Sequence, residues 1–133
     1  MISEESRHLS TFIDRPAADV YAYASDPANL LHWAAGLGSA TRRTDGSWIV
    51  QSAMGLVTVV FAPLNTFGVL DHDVVLATGE TVYNPMRVIA DGPGCEVVFT
   101  LRRTPEMTDR EFARDADAII ADLATLKRIL EGT

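Results

Sequence analysis

The segment FGVLDHDVVL, residues 67–76, sets one imidazole between two carboxylates. Two-residue alternation puts Leu70, His72, Val74 and Leu76 on one face of a strand and Val69, Asp71, Asp73 and Val75 on the other. The face with two aspartates is expected to meet water as a soluble edge. The imidazole then points inward among aliphatic side chains. An inward histidine has two roles open to it. It is a ligand's hydrogen-bond partner or a weak general acid–base candidate, because it titrates near neutral pH, or it is a neutral core residue satisfied by a neighbouring polar group. On the next strand, Val82, Asn84, Met86 and Val88 alternate with Tyr83, Pro85, Arg87 and Ile89. Asn84 is thus an inward amide, a cross-strand neighbour of His72 if the Thr78-Gly79 turn sets the register. It either orients a ligand in an apolar pocket or shapes a bulge beside Pro85.

Other reactive side chains point to less. Trp33, Trp48, Tyr23, Phe61, Phe99 and Phe112 line a pocket or simply fill the core. His8, His32 and His72 fall on different elements, with no i, i+4 pair and no carboxylate at ligand spacing, so no metal site is expected. Cys95 shares an apolar face with Val97, Phe99 and Leu101 and reads as a small buried hydrophobe. The chain has no G-x-S-x-G, P-loop or dinucleotide fingerprint, and no cofactor is expected.

Composition bounds what these residues can serve. The chain has 133 residues, 47% apolar and 22% charged, with one cysteine. That suits one domain, residues 1–133, with a core that needs no disulfide staple. Eighteen acids against eleven bases give a net charge of −7, which disfavours nucleic acid as a partner. No 18-residue apolar run predicts a membrane span, and the start, MISEESRHLS, lacks the pattern of a signal peptide. A cytoplasmic location fits these features.

The elements that must position the site follow from periodicity. RHLSTFID, residues 7–14, reads as a strand, stopped at Arg15-Pro16, where proline suits a helix's first turn. Residues 16–25 form a short helix, and Asp26-Pro27 opens a second that ends at Ala34-Ala35-Gly36. From residue 39 to 104 the period is two. A stretch near Ala40 to Thr44, then SWIVQSA, LVTVVFAPL, FGVLDHDVVLA, ETVYNPMRVIA and CEVVFTLRR, make six strands joined by turns. Thr108 with Glu111 forms a capping box. After it Phe112, Ala116, Ile119, Leu123, Leu126 and Leu130 recur every three or four residues, a single stripe over about five turns. The order is β-α-α-β6-α, and the long helix has only the sheet to lie on. This predicts an α+β fold with one seven-stranded antiparallel sheet.

The opening, STFIDRPAADVYAYASDPANLLHW, resembles that of the SRPBCC superfamily, which includes polyketide cyclase/dehydrase and START-like lipid-transport proteins. Ile13, Pro16, Val20, Asp26-Pro27 and Trp33 carry the pattern. FGVLDHDVVL, VYNPMRVIADGPG and the Met107-Thr108-Asp109 helix start are similar to the middle strands and tail of small bacterial members. The resemblance runs from about residue 6 to 131. It implies a helix-grip fold: a curved sheet around the long helix, with a hydrophobic pocket between them. It also implies a small apolar or amphipathic ligand, bound or transported. From the alternation and spacing above, His72, Asn84, Met86, Trp33, Trp48, Phe61, Phe99 and Phe112 are the expected ligand-binding residues. Two alternatives stand beside this, a polyketide cyclase or aromatase-like enzyme and a partner-binding module of the co-chaperone activator type. The small number of inward polar groups favours binding over cyclisation.

Overall fold

Proline and aspartate punctuate the first part of the chain. The computed structural model describes residues 5–35, 37–42, 45–52 and 55–132. Strand β1 (Ser6–Ile13) runs to the Asp14-Arg15 bend, and Pro16 occupies the N-cap of helix α1 (Ala17–Ala24). Asp26 then accepts a hydrogen bond from the Ala28 amide, and Pro27 opens a 3-10 turn (Pro27–Asn29) that runs into α2 (Leu30–Trp33). The second predicted helix is therefore a tight turn followed by one α-helical turn. Its predicted end at Gly36 lies outside the described residues.

The β region contains β2 (Ala40–Arg42), β3 (Trp48–Ser52), β4 (Gly55–Phe61), β5 (His72–Val75), β6 (Thr81–Asn84), β7 (Met86–Asp91) and β8 (Gly94–Arg102). All the pairings are antiparallel. The end of the predicted 40–44 strand, residues 43–44, lies outside the described residues. The single seven-stranded sheet expected from the sequence is corrected. The described strands form a three-stranded sheet, β1-β8-β7, and a five-stranded one, β2-β3-β4-β5-β6.

Pro85 is the cause. Lacking an N–H, it cannot continue the ladder, so ETVYNPMRVIA is cut into β6 and β7. Three backbone bonds join the sheets around the cut: Leu70 N to Met86 O at 2.8 Å, Val88 N to Gly68 O at 2.8 Å and Thr100 N to Pro85 O at 2.9 Å. The result is a curved antiparallel surface bent at one proline. Gly68 permits the close approach on its side. Its φ is +73°, and a Cβ there would lie 2.2 Å from the Val88 carbonyl oxygen.

Helix α3 (Asp109–Glu131) begins at the expected capping box. The Glu111 amide bonds Thr108 Oγ1 at 3.1 Å, and the Thr108 amide bonds Glu111 Oε1 at 2.9 Å. At about 35 Å it spans the molecule, packing against β1, β8 and α2. Phe112, Ala116, Leu123, Leu126 and Leu130 are buried beneath it, as the stripe predicts. Its last turn is stitched to the chain start: Lys127 Nζ donates to Phe12 O, the Asp14 amide to Glu131 Oε2 at 2.7 Å, and Arg15 to Leu130 O at 2.9 Å.

Candidate ligand site beneath the five-stranded sheet

A domain of this size usually has one contiguous core. Here the buried apolar residues fall into two clusters. The first joins α1, α2 and α3 to the three-stranded sheet through residues such as Ile13, Val20, Met86, Val97, Leu123 and Leu126. The second holds only Val50, Val57 and Val59, on β3 and β4. Half-buried Leu31, Trp48, Phe61, Val74 and Leu76 pack around the second, and half-buried Leu37 touches both. Apolar side chains that face inward yet stay half-exposed border space that water can reach. That interior edge is the candidate site.

His72 stands in the middle of it. Register places Phe61, His72 and Asn84 side by side across β4, β5 and β6. The imidazole stacks on Phe61 with ring centroids 4.9 Å apart and meets the edge of Phe99 at 6.2 Å. Burial pushes its pKa down, partly offset by the Leu70 carbonyl and by Asp71 and Asp73. Nδ1 lies 3.0 Å from Leu70 O. A carbonyl only accepts, so Nδ1 carries the proton and Nε2 keeps a lone pair, with no hydrogen-bond partner among the described residues. The expectation that Asn84 would partner His72 is half right. Asn84 is directly opposite, but the backbone takes the bond. The Asn84 amide is half-buried on the same face and makes no hydrogen bond to a described group.

The remaining predicted residues divide. Trp48 and Phe61 wall a cleft of about 720 Å³, which also touches Pro27, Ser47, Val60 and Leu64. Phe99 is half-buried against the first cluster and reaches His72. Met86 is sealed at 1% exposure, and Phe112 is buried with the Arg103 guanidinium 5.6 Å above its ring. Trp33 is 6% exposed, and its indole Nε1 has no hydrogen-bond partner. Cys95 is buried, which raises its pKa.

Asp71 does not form part of the solvated edge expected. Asp71 is 8% exposed. It accepts from Met86 N at 2.9 Å, from Arg87 Nε at 3.0 Å and Nη2 at 2.9 Å, and from the Tyr83 hydroxyl. The Arg87 hydrogen bonds, above all, hold its carboxyl well below the usual carboxylate range. Alternation placed it on the outer face correctly, but Tyr83 and Arg87, each two positions from the cut at Pro85 on that same face, fold over it. Sequence reasoning also missed the loop at 62–69. There Asn65 bonds the amides of Phe67 and Val69 and the carbonyls of Pro63 and Val69, while its own amide bonds the Tyr21 hydroxyl. The loop holds Leu64 and Phe67 out into solvent. The turn-forming Asn between Pro63 and Gly68 was the available signal.

On α3, burial raises the pKa of Asp115 and of Asp122, and Asp122 accepts the Ala35 amide at 3.0 Å beside α2. No helix is long and apolar enough to cross a membrane among the described residues.

No family model and no curated protein matches this chain. Solved structures do. An uncharacterized protein from Bacillus thuringiensis superposes with a TM-score of 0.75 at 12% identity, over 95% of this chain and 98% of that one. A START superfamily protein from Mycobacterium smegmatis gives 0.69 at 11%, over 94% and 96%. CalU16 from Micromonospora echinospora gives 0.70 at 15%, over 96% and 74%. At such identities the likeness concerns the backbone. The chain has the START-like, SRPBCC fold that its opening residues resemble.

Proposed function

We propose that the protein binds a small apolar or amphipathic ligand in the space between the five-stranded sheet, α2 and α3. The observation that carries this is the division of the core. Two buried clusters stay apart, and the apolar side chains between them stay half-exposed on the concave side. Filling that space with a ligand removes apolar surface from water without moving an element, which is how preformed pockets gain affinity. A cyclase needs a positioned acid or base with a pKa near the working pH. On the inner faces of β4, β5, β6 and β8, His72 is the single histidine, and burial pushes its pKa down, which favours binding over catalysis.

The test uses N-phenylnaphthylamine, an uncharged dye that fluoresces in apolar surroundings. Wild-type protein should bind it saturably, one dye per chain. Val74→Trp, which fills the space from β5, should abolish binding with the fold retained by circular dichroism. Unsaturable binding, or binding unchanged in Val74→Trp, overturns the proposal.

A further inference from the structure

His72 is held so that one ring nitrogen is occupied and the other is free. The ring stacks on Phe61 with centroids 4.9 Å apart and planes 29° from parallel, and it meets the edge of Phe99 at 6.2 Å. Nδ1 lies 3.0 Å from Leu70 O, so the proton sits there and Nε2 keeps its lone pair. Nε2 has no partner among the described residues, and yet it is not closed off. The side-chain nitrogen that is both unbonded and sealed belongs to Trp33 instead. The His72 acceptor therefore opens onto space that water reaches.

An acceptor on an apolar wall is satisfied by a group that donates. Asn84 is the Cα partner of His72 on the same face, and its side-chain amide makes no bond to a described group. Directly opposite side chains start about 5 Å apart, so one hydroxyl between them can donate to Nε2 and accept from the Asn84 amide. A ketone or ether oxygen has no proton to give. The charge of the ring matters equally, because an imidazolium has no lone pair at Nε2 and donates there instead. The side chains that face it are Phe61 from β4, Phe99 from β8 and Asn84 from β6. The ionisable groups acting on it, Asp71 and Asp73, sit on the opposite face of β5, where Arg87 clasps Asp71. Burial outweighs the two carboxylates and the Leu70 carbonyl and pushes the pKa of His72 down. The ring is thus neutral above about pH 6.5.

We propose that His72 is a proton-linked specificity residue: its Nε2 accepts a hydrogen bond from a hydroxyl on an apolar ligand, and protonation of the ring releases that hydroxyl. Phenols and alcohols on an apolar skeleton form the favoured class. This rests on the pocket reading above and assigns one wall of that pocket its chemistry.

The experiment uses 2-naphthol and its methyl ether, two uncharged compounds of similar size that differ in the hydroxyl proton. Each is titrated against bound N-phenylnaphthylamine. At about pH 7.5 the naphthol should displace the dye at an about fivefold lower concentration than the ether does. On acidification below about pH 6.5 that ratio should fall towards one. In His72→Phe the ratio should be near one at every pH. Nitrogen NMR of isotope-labelled histidine in the wild-type protein decides the matter even if that variant does not fold. The naphthol should shift the His72 Nε2 resonance and lower the His72 pKa further, since a ligand that binds the neutral ring opposes its protonation. The ether should do neither. Equal displacement by the two compounds, a ratio that survives in His72→Phe or in acid, or a His72 pKa that rises with naphthol overturns the proposal while leaving the pocket. Failure of the dye itself to bind overturns the pocket, and the proposal with it.

Discussion

The two sheets of this protein are built from similar residues but are finished differently. Against the three-stranded sheet, α3 lays Leu123, Leu126 and Leu130, and residues such as Ile13, Val97 and Met86 are closed off almost completely. Against the five-stranded sheet, α3 makes no comparable packing, and among its described residues three valines are buried. Phe61, Val74 and Trp48 there are as apolar as their counterparts and yet half-exposed. A packed core adds stability with each methylene it buries. Apolar surface held half-open adds little, and stays available for something else to cover. The difference separates residues that hold the fold from residues that await a ligand.

Substitutions that break this comparison rank by size. Leu123→Ala should cost about 3 kcal/mol through the cavity it leaves. Phe61→Ala removes a larger side chain yet should cost about 1 kcal/mol, because water already reaches it. Denaturant unfolding of the two variants checks this, and equal losses would mean the five-stranded side is as closed as the other. Asp71→Ala comes next. It strips the acceptor from the buried Met86 amide and from Arg87, and should cost about 2 kcal/mol, discounted from a fully buried pair because Arg87 is half-exposed. A stability unchanged in urea melts would show that the cut at Pro85 needs no clamp.

The smallest effect is a slope. Burial lowers the folded-state pKa of His72 below the value near 6.5 of an unfolded chain. Between those two values the unfolded state binds more protons. Its stabilising contribution is therefore present above about pH 6.5 and is lost as pH falls through the folded pKa. Wild-type Tm should fall more steeply than that of His72→Phe on acidification below about pH 6.5. Parallel curves would place the imidazole in water and remove it from the pocket wall.

Much of this was legible in the sequence, for specific reasons. Period-two and period-3.6 patterns found the strands and α3, and Thr108 with Glu111 marked the helix start to the residue. Alternation through FGVLDHDVVL set His72 inward and opposite Asn84, because register leaves no freedom once one face is buried. The division into two sheets was written in Pro85, but a proline near the end of a strand reads the same whether the ladder bends or stops. Long-range partners were hidden altogether. Nothing near Asp71 in sequence announces that Arg87, sixteen residues on, will cover it. The orphaned Trp33 nitrogen is the same kind of case, since burial without a partner is a property of the assembled neighbourhood.

The pairing of β1 with β8 sets the order in which the chain can assemble. Ser6 faces Arg102 and Ile13 faces Cys95, so β1 waits until β8 is made before it has that partner. The hairpins β3–β4, β4–β5 and β5–β6 close over far shorter loops and lose less chain entropy in forming. High contact order of this kind slows folding. The hairpins of the half-open sheet therefore lose less chain entropy in closing than β1 does in closing against β8. During synthesis on the ribosome the apolar face of β1 stays uncovered until residues beyond 102 emerge, and α3, which follows β8, packs against it.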